Sequence, residues 1–388
     1  MEEVKSSMDA QQTRRAEISL IYEGKDISRN IAPYMMSFTY TDNSGDKADD
    51  ISITLEDRDR LWIGDWFPSK GDKVRASIII HDWEQAGTAQ SLPCGLFEVD
   101  QIECSGPPNQ VTIKAVSTLV SKPMRQEKHT KAWENVKLST IAGDAASRSG
   151  LALFWDSKDD PYFERRDQVE TSDLEFLAGL CRDYGIAVKV TDTQLVCYDE
   201  EEYEAHTAVG ELAFGDMKLI RWSFSTKTAG TYKSARLQYH DPVKDETYSV
   251  TEDGDAEGTG RVLELNQKAD SESDARKIAS ESLRQANKRE ITANITLMGD
   301  LRFVGGSNLT ITGFGTFDGK YVIEKATHTV SGSYTTKLDL RMGGESKKAA
   351  SKKKSAVKAK AKKRAKSLGS LIYTGDNVYR TGKAVLDV

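Results

Sequence analysis

Apolar and polar residues alternate over short stretches in the first third of the chain. Ile18, Leu20 and Tyr22 share one face; Phe38 and Tyr40, then Ile51, Ile53 and Leu55, repeat the pattern. Residues 74–80, 97–102 and 111–115 continue it. A period of two marks a half-buried β-strand. Gly24-Lys25 and the loop 42–46 supply turns between the runs. Short alternating strands at this spacing predict a small antiparallel barrel or sandwich over 17–123, behind a loose polar arm at 1–16.

The period changes after Pro123. Leu138, Ile141, Ala142 and Ala145 predict a helix stopped at Gly150. Ser172-Asp173-Leu174-Glu175 is a capping box for a second helix ending near Tyr184, with Leu174, Leu177, Leu180 and Cys181 on its apolar stripe. A hairpin over 186–198 completes a small α/β domain at 124–213. Alternation returns at Ile220, Trp222 and Phe224, and at Ala235, Leu237 and Tyr239. A helix is predicted over 271–288, inserted in a second β domain at 214–345.

The two β domains carry one pattern. Gly64-Asp65, Gly71 and Val74 recur as Gly299-Asp300, Gly306 and Leu309 at a constant offset of 235. Downstream, Gly95-Leu96-Phe97-Glu98-Val99 matches Gly319-Lys320-Tyr321-Val322-Ile323. The predicted class is therefore α+β and β-rich. Two similar small antiparallel β-barrel domains flank a small α/β domain, and a basic C-terminal tail follows at 346–388.

Charge adds a second division. The net charge of −6 separates into +11 over 346–388 and −17 over the rest. The Lys/Ala-rich stretch reads as a linker leading to a terminal β-element, with Lys352, Lys353, Lys354, Lys358, Lys360, Lys362, Lys363 and Arg364 as candidate partner contacts. It has no aromatic residue between 346 and 368 on which bases could stack. No apolar run is long enough to span a membrane, and the polar start lacks a signal-peptide core. Four cysteines without a Cys-x-x-Cys pair read as reduced, small and partly buried; Cys94 and Cys104 flank a predicted strand and could oppose each other.

The search for chemistry assigns no catalytic residue, metal ligand or cofactor. The five histidines are scattered without ligand spacing. The glycines of 313–319 precede a strand rather than a helix, so they form a hairpin turn and not a phosphate loop. The acidic stretch 253–257 lacks a full set of calcium ligands. Trp62, Trp66 and Phe67 fall within six residues and suggest an interface anchor.

Arg58-Asp59-Arg60, Trp66-Phe67-Pro68, Gly71-Asp72 with Val74, and Gly95 with Phe97 and Val99-Asp100 occur in that order. Thr171, Asp173, Phe176-Leu177, Leu180 and Tyr184-Gly185 follow, then the helix 275–286. Over 17–342 this series resembles the late control protein D family, the baseplate hub proteins of contractile phage tails, contractile bacteriocins and injection systems. The resemblance implies a structural protein rather than an enzyme. It implies a homotrimer whose six barrels join a hexameric tail tube protein to a trimeric central spike protein. Trp62, Trp66, Phe67 and Val74 of the first barrel, and Leu301, Phe303 and Leu309 of the second, are then the expected ring contacts. The middle domain would lie outside the ring, and the tail would reach towards the spike or lumen. Other baseplate proteins and the tape measure are further expected neighbours, and nucleic acid would meet the lumen only transiently. Such a chain would be made in a bacterial cytoplasm and assembled into a tail or tail-like particle. The alternative reading is a carbohydrate-binding host-recognition module or a cell-wall hydrolase of the same particle.

Overall fold

Every alternating run predicted in the first β domain is a strand: β1 (Arg15–Tyr22), β2 (Met35–Asn43), β3 (Asp50–Glu56), β4 (Lys73–His81), β5 (Ala89–Ser105) and β6 (Gln110–Val116). The computed structural model describes residues 13–45, 47–117, 122–191, 193–242, 245–254, 260–344, 346–347, 371–374 and 377–380. The eight basic tail positions named above, and most of the N-terminal arm, lie outside the described residues. Leu371–Thr374 and Asn377–Arg380 pair as an antiparallel hairpin near the C-terminus.

The second module contains β7 (Gly210–Ala213), β8 (Leu219–Thr226), β9 (Ile291–Met298), β10 (Asn308–Thr312), β11 (Gly319–Ser331) and β12 (Ser333–Met342). Its strand order, β8-β9-β12-β11-β10-β7, repeats the first module's β2-β3-β6-β5-β4-β1. The repeat extends to irregularities. A register shift lies between Val99 and Gln101 in β5, and between Ile323 and Lys325 in β11. Another lies between Met35 and Ser37 in β2, and between Leu219 and Arg221 in β8. Bulges re-aim a strand and disrupt its ladder, so their shared positions mark residue-by-residue equivalence.

The glycines of the repeated pattern have a definite task. Gly71 and Gly306 adopt φ of 93° and 89°, which side chains with a Cβ resist. Gly71 N–H donates to Val99 O and Val99 N–H to Asp72 O. Gly306 N–H donates to Ile323 O and Ile323 N–H to Ser307 O, the same clasp. The equivalence fails at one edge: β1 runs antiparallel to β4, whereas β7 runs parallel to β10.

The modules are joined edge to edge. β11 pairs antiparallel with β2, and this seam joins them in one 13-stranded sheet, whose thirteenth strand is the short Lys25–Asp26 paired with β1. Each retains its own core. Phe38, Ile51, Leu55, Ile78 and Phe97 fill the first; Leu297, Leu309, Tyr321, Ile323 and Leu338 fill the second.

Three longer helices, α1 (Leu138–Arg148), α2 (Asp173–Asp183) and α3 (Glu272–Asn287), build a third core. Ser172 caps the second of these helices as predicted, its Oγ accepting from Glu175 N–H. Ser172→Ala is expected to cost about 1 kcal/mol, read as a lowered denaturation midpoint. Residues 234–287 do not belong to the second β domain predicted over 214–345. Instead Ala235, Leu237, Val250, Ala275, Ile278 and Leu283 pack with Leu138, Leu177 and Cys181. The chain leaves the second module after β8 and returns at β9, because the apolar stripe of α3 finds α2 and not the β core. Cys94 and Cys104 cannot oppose each other, since both lie in β5. All four cysteines are free.

Candidate assembly surfaces

The seam between modules is the most densely specified region. Tyr40 on β2 stacks on His328 of β11 at 6.1 Å between ring centroids. His328 is fully buried, and its ring nitrogens bond Tyr334 Oη at 2.8 Å and Phe303 O at 3.0 Å. Burial pushes its pKa down to about 4, so the ring is neutral near neutrality. Beside it, Asp42 accepts from Gly305 N–H at 2.8 Å and from Lys189 Nζ at 3.1 Å. A Cβ on Gly305 would lie 2.9 Å from the backbone of Asn43 and Ser44. The second module therefore approaches β2 as closely as a backbone allows.

A second buried polar set ties the second module to the helical unit. Arg341 on β12 donates to Glu204 at 2.6 Å and to Glu200 at 2.9 Å. Arg284 of α3 donates to Glu200 at 2.8 Å. Burial alone would raise the Glu200 pKa, but Arg284, Arg341 and Lys288 outweigh it and bring it to about 2. The cleft above holds about 630 Å³ and is lined by Arg182, Glu200, Arg289 and Arg341. Glu200 pairs with Arg341 and Arg284, and Arg289 pairs with Glu324. Among the described residues no group of three or more His, Cys, Asp or Glu could hold a metal ion. No helix there is long and apolar enough to cross a membrane.

The predicted contact residues separate into two groups. Val74, Phe303 and Leu309 are buried in the module cores, and Trp62 is 8% exposed. Alternation shows that such residues share a face but not that the face is outward, so the surface role expected of these four fails for the single chain. Leu301 is partly buried against the first core. Trp66 and Phe67 are exposed at 44% and 52%. Asp57 fixes the base of their loop by accepting from Trp62 N–H and Ile63 N–H. Tyr34, Trp62 and Trp66 pack edge to face above an apolar cavity of about 340 Å³.

A second exposed apolar surface has no distinct signal in the sequence. Phe214, Met217, Ile220 and Trp222 are all exposed. Phe214, Trp222 and Phe224 converge on Phe314 with centroids 5.0–5.4 Å apart. They lie on and beside β8, whose outer edge has no strand partner among the described residues. Its alternation was legible, but a core strand would show the same signal.

Comparison with known proteins accords with this geometry. Residues 215–341 match the YQBQ-like family. The chain is 31% identical over 186 residues to a probable baseplate hub protein of Escherichia phage P2, covering 47% of this chain and 45% of that one. It is 27% identical over 191 residues to the probable baseplate hub protein of Escherichia phage 186, covering 49% and 46%. The aligned region thus spans just under half the length of these curated relatives. The 43 kDa tail protein of prophage MuSo2 from Shewanella oneidensis shares the fold at a TM-score of 0.65 and 14% identity, over 85% of this chain and 99% of that one. The resemblance read from the sequence holds: over about half its length this chain is similar to the probable baseplate hub proteins of phages P2 and 186.

Proposed function

We propose that this chain is a structural baseplate hub in which three copies close a ring of six β modules. The ring joins a six-fold tail tube to a three-fold spike. The observation that carries the reading is the duplicated strand order with its shared bulges and glycine clasps. One duplicated chain taken three times supplies six near-equivalent positions on a three-fold object. The homologues' names support the baseplate setting.

In this reading Trp66 and Phe67 anchor a neighbouring baseplate protein, since exposed aromatics over an apolar cavity need covering. The buried Val74, Phe303 and Leu309 hold the modules in shape. The helical unit lies outside the ring, and the basic tail docks on an acidic partner surface. The function is symmetry matching by non-covalent assembly, and no covalent step is assigned. Light scattering on the full chain is expected to give three chain masses. A strict monomer at all concentrations, or measurable glycan binding or cell-wall cleavage by that monomer, would overturn the hub reading.

A further inference from the structure

The internal seam predicts its own intermolecular counterpart. Within the chain, β11 pairs with β2 from Lys325 opposite Asn43 to Val330 opposite Phe38. The strand equivalent to β11 is β5, and the strand equivalent to β2 is β8. Matched pairings fix the residue correspondence. Val74 opposes Phe97 as Leu309 opposes Tyr321, and Phe38 opposes Ile53 as Trp222 opposes Ile295. Ile53 and Ile295 in turn oppose the equivalent residues Ile113 and Leu338.

Both equivalent edges are open among the described residues. β5 pairs with β4 only up to Glu98, so residues 101–105 have β6 on one side and no strand on the other. β8 has β9 on one side only. Burial records the difference. Phe38, inside the seam, is fully buried, while its equivalent Trp222 is 46% exposed. His328 is fully buried, while its equivalent Cys104 is exposed.

We propose that residues 101–105 of one copy pair antiparallel with residues 223–227 of a second copy, repeating the internal seam. This deepens the hub reading and rests on it for the closing of the ring. Transfer of the internal register places Gln101 opposite Lys227, Glu103 opposite Ser225, Cys104 opposite Phe224 and Ser105 opposite Ser223. The chemistry agrees at each type of position. The hydroxyls of Thr39 and Thr329 lie 3.5 Å apart in the internal seam, and the counterpart pair is two serines. Glu103 falls diagonal to Lys227, within reach of a long side chain. Phe224 and the adjacent Trp222 gain the cover that Tyr40 and Phe38 already have. Open strand edges invite pairing, and because two different edges meet, the contact is head to tail and closes only as a ring.

The test uses the full chain carrying Cys104→Ser, Glu103→Cys and Ser225→Cys, treated with a short bismaleimide; both new thiols replace exposed residues. The expected product is a covalent ladder ending at three chains on a denaturing gel. Each single-cysteine variant should give none. Light scattering on the untreated protein separates the two ideas. A trimer that fails to cross-link at this pair, but links with Glu103→Cys moved to an unrelated surface, overturns the strand pairing and leaves the hub reading standing. A monomer at all concentrations with no cross-link overturns both. A ladder continuing past three chains supports the pairing and overturns trimeric closure.

Discussion

Arg341→Ala is expected to lower the unfolding free energy by about 3–5 kcal/mol, the cost of breaking a buried ion pair from one side. Arg341 is only 5% exposed and satisfies two glutamates that arrive from the helical unit. Without it, Glu204 keeps Arg284 at 3.4 Å and the Gly344 N–H at 3.2 Å, and Glu200 loses one of three cationic neighbours. Urea denaturation measures the loss; a change below about 1 kcal/mol, the level of a surface pair, would contradict this account. Arg341→Lys should recover only part, because a single ammonium cannot span both carboxylates as a guanidinium fork does.

The same groups set an acid response. Glu200 has its folded pKa depressed to about 2, so its stabilising effect is present above the unfolded carboxylate range and is lost as pH falls towards 2. His328 is also depressed, to about 4. The unfolded imidazole takes up a proton near pH 6.5 while the folded one does not, so stability declines as pH falls from about 6.5 to about 4. Denaturation midpoints should fall in two stages, and His328→Gln should flatten the upper one.

Phe97→Ala and Tyr321→Ala are each expected to cost about 3–5 kcal/mol. The two residues are equivalent, fully buried, and opposite Val74 and Leu309 in their modules. Tyr321 also donates its hydroxyl proton to Phe317 O at 2.8 Å. Because one sheet runs through both modules, either variant should move a single unfolding transition by calorimetry. Two transitions, with only one responding to each substitution, would show that the seam does not couple the cores.

The strands and the duplication were legible because their signals are local. One face of each strand is solvated, which gives alternation, and a positive φ selects glycine at Gly71 and Gly306 whatever the rest of the chain does. Partnership was not legible. The stripe of α3 announces a buried face but not that α2 lies against it. The ribbon of Lys128–Lys137 and Tyr162–Ser172 is exposed along most of both strands, so its period is masked by charge. Val74 and Leu309, ring contacts by the family resemblance alone, are buried in their module cores, and strand alternation does not say which face is inward. Glu200 and Arg341 are far apart in sequence, and nothing near either position signals the other.

The internal seam also constrains counting. It forms within one polypeptide during folding, so it does not depend on protein concentration, and its buried histidine and close glycine leave little room for exchange. Modules can enter any larger structure only in pairs. An assembly built from this chain therefore always holds an even number of modules, and a five- or seven-membered error is unavailable to it whatever its neighbours do.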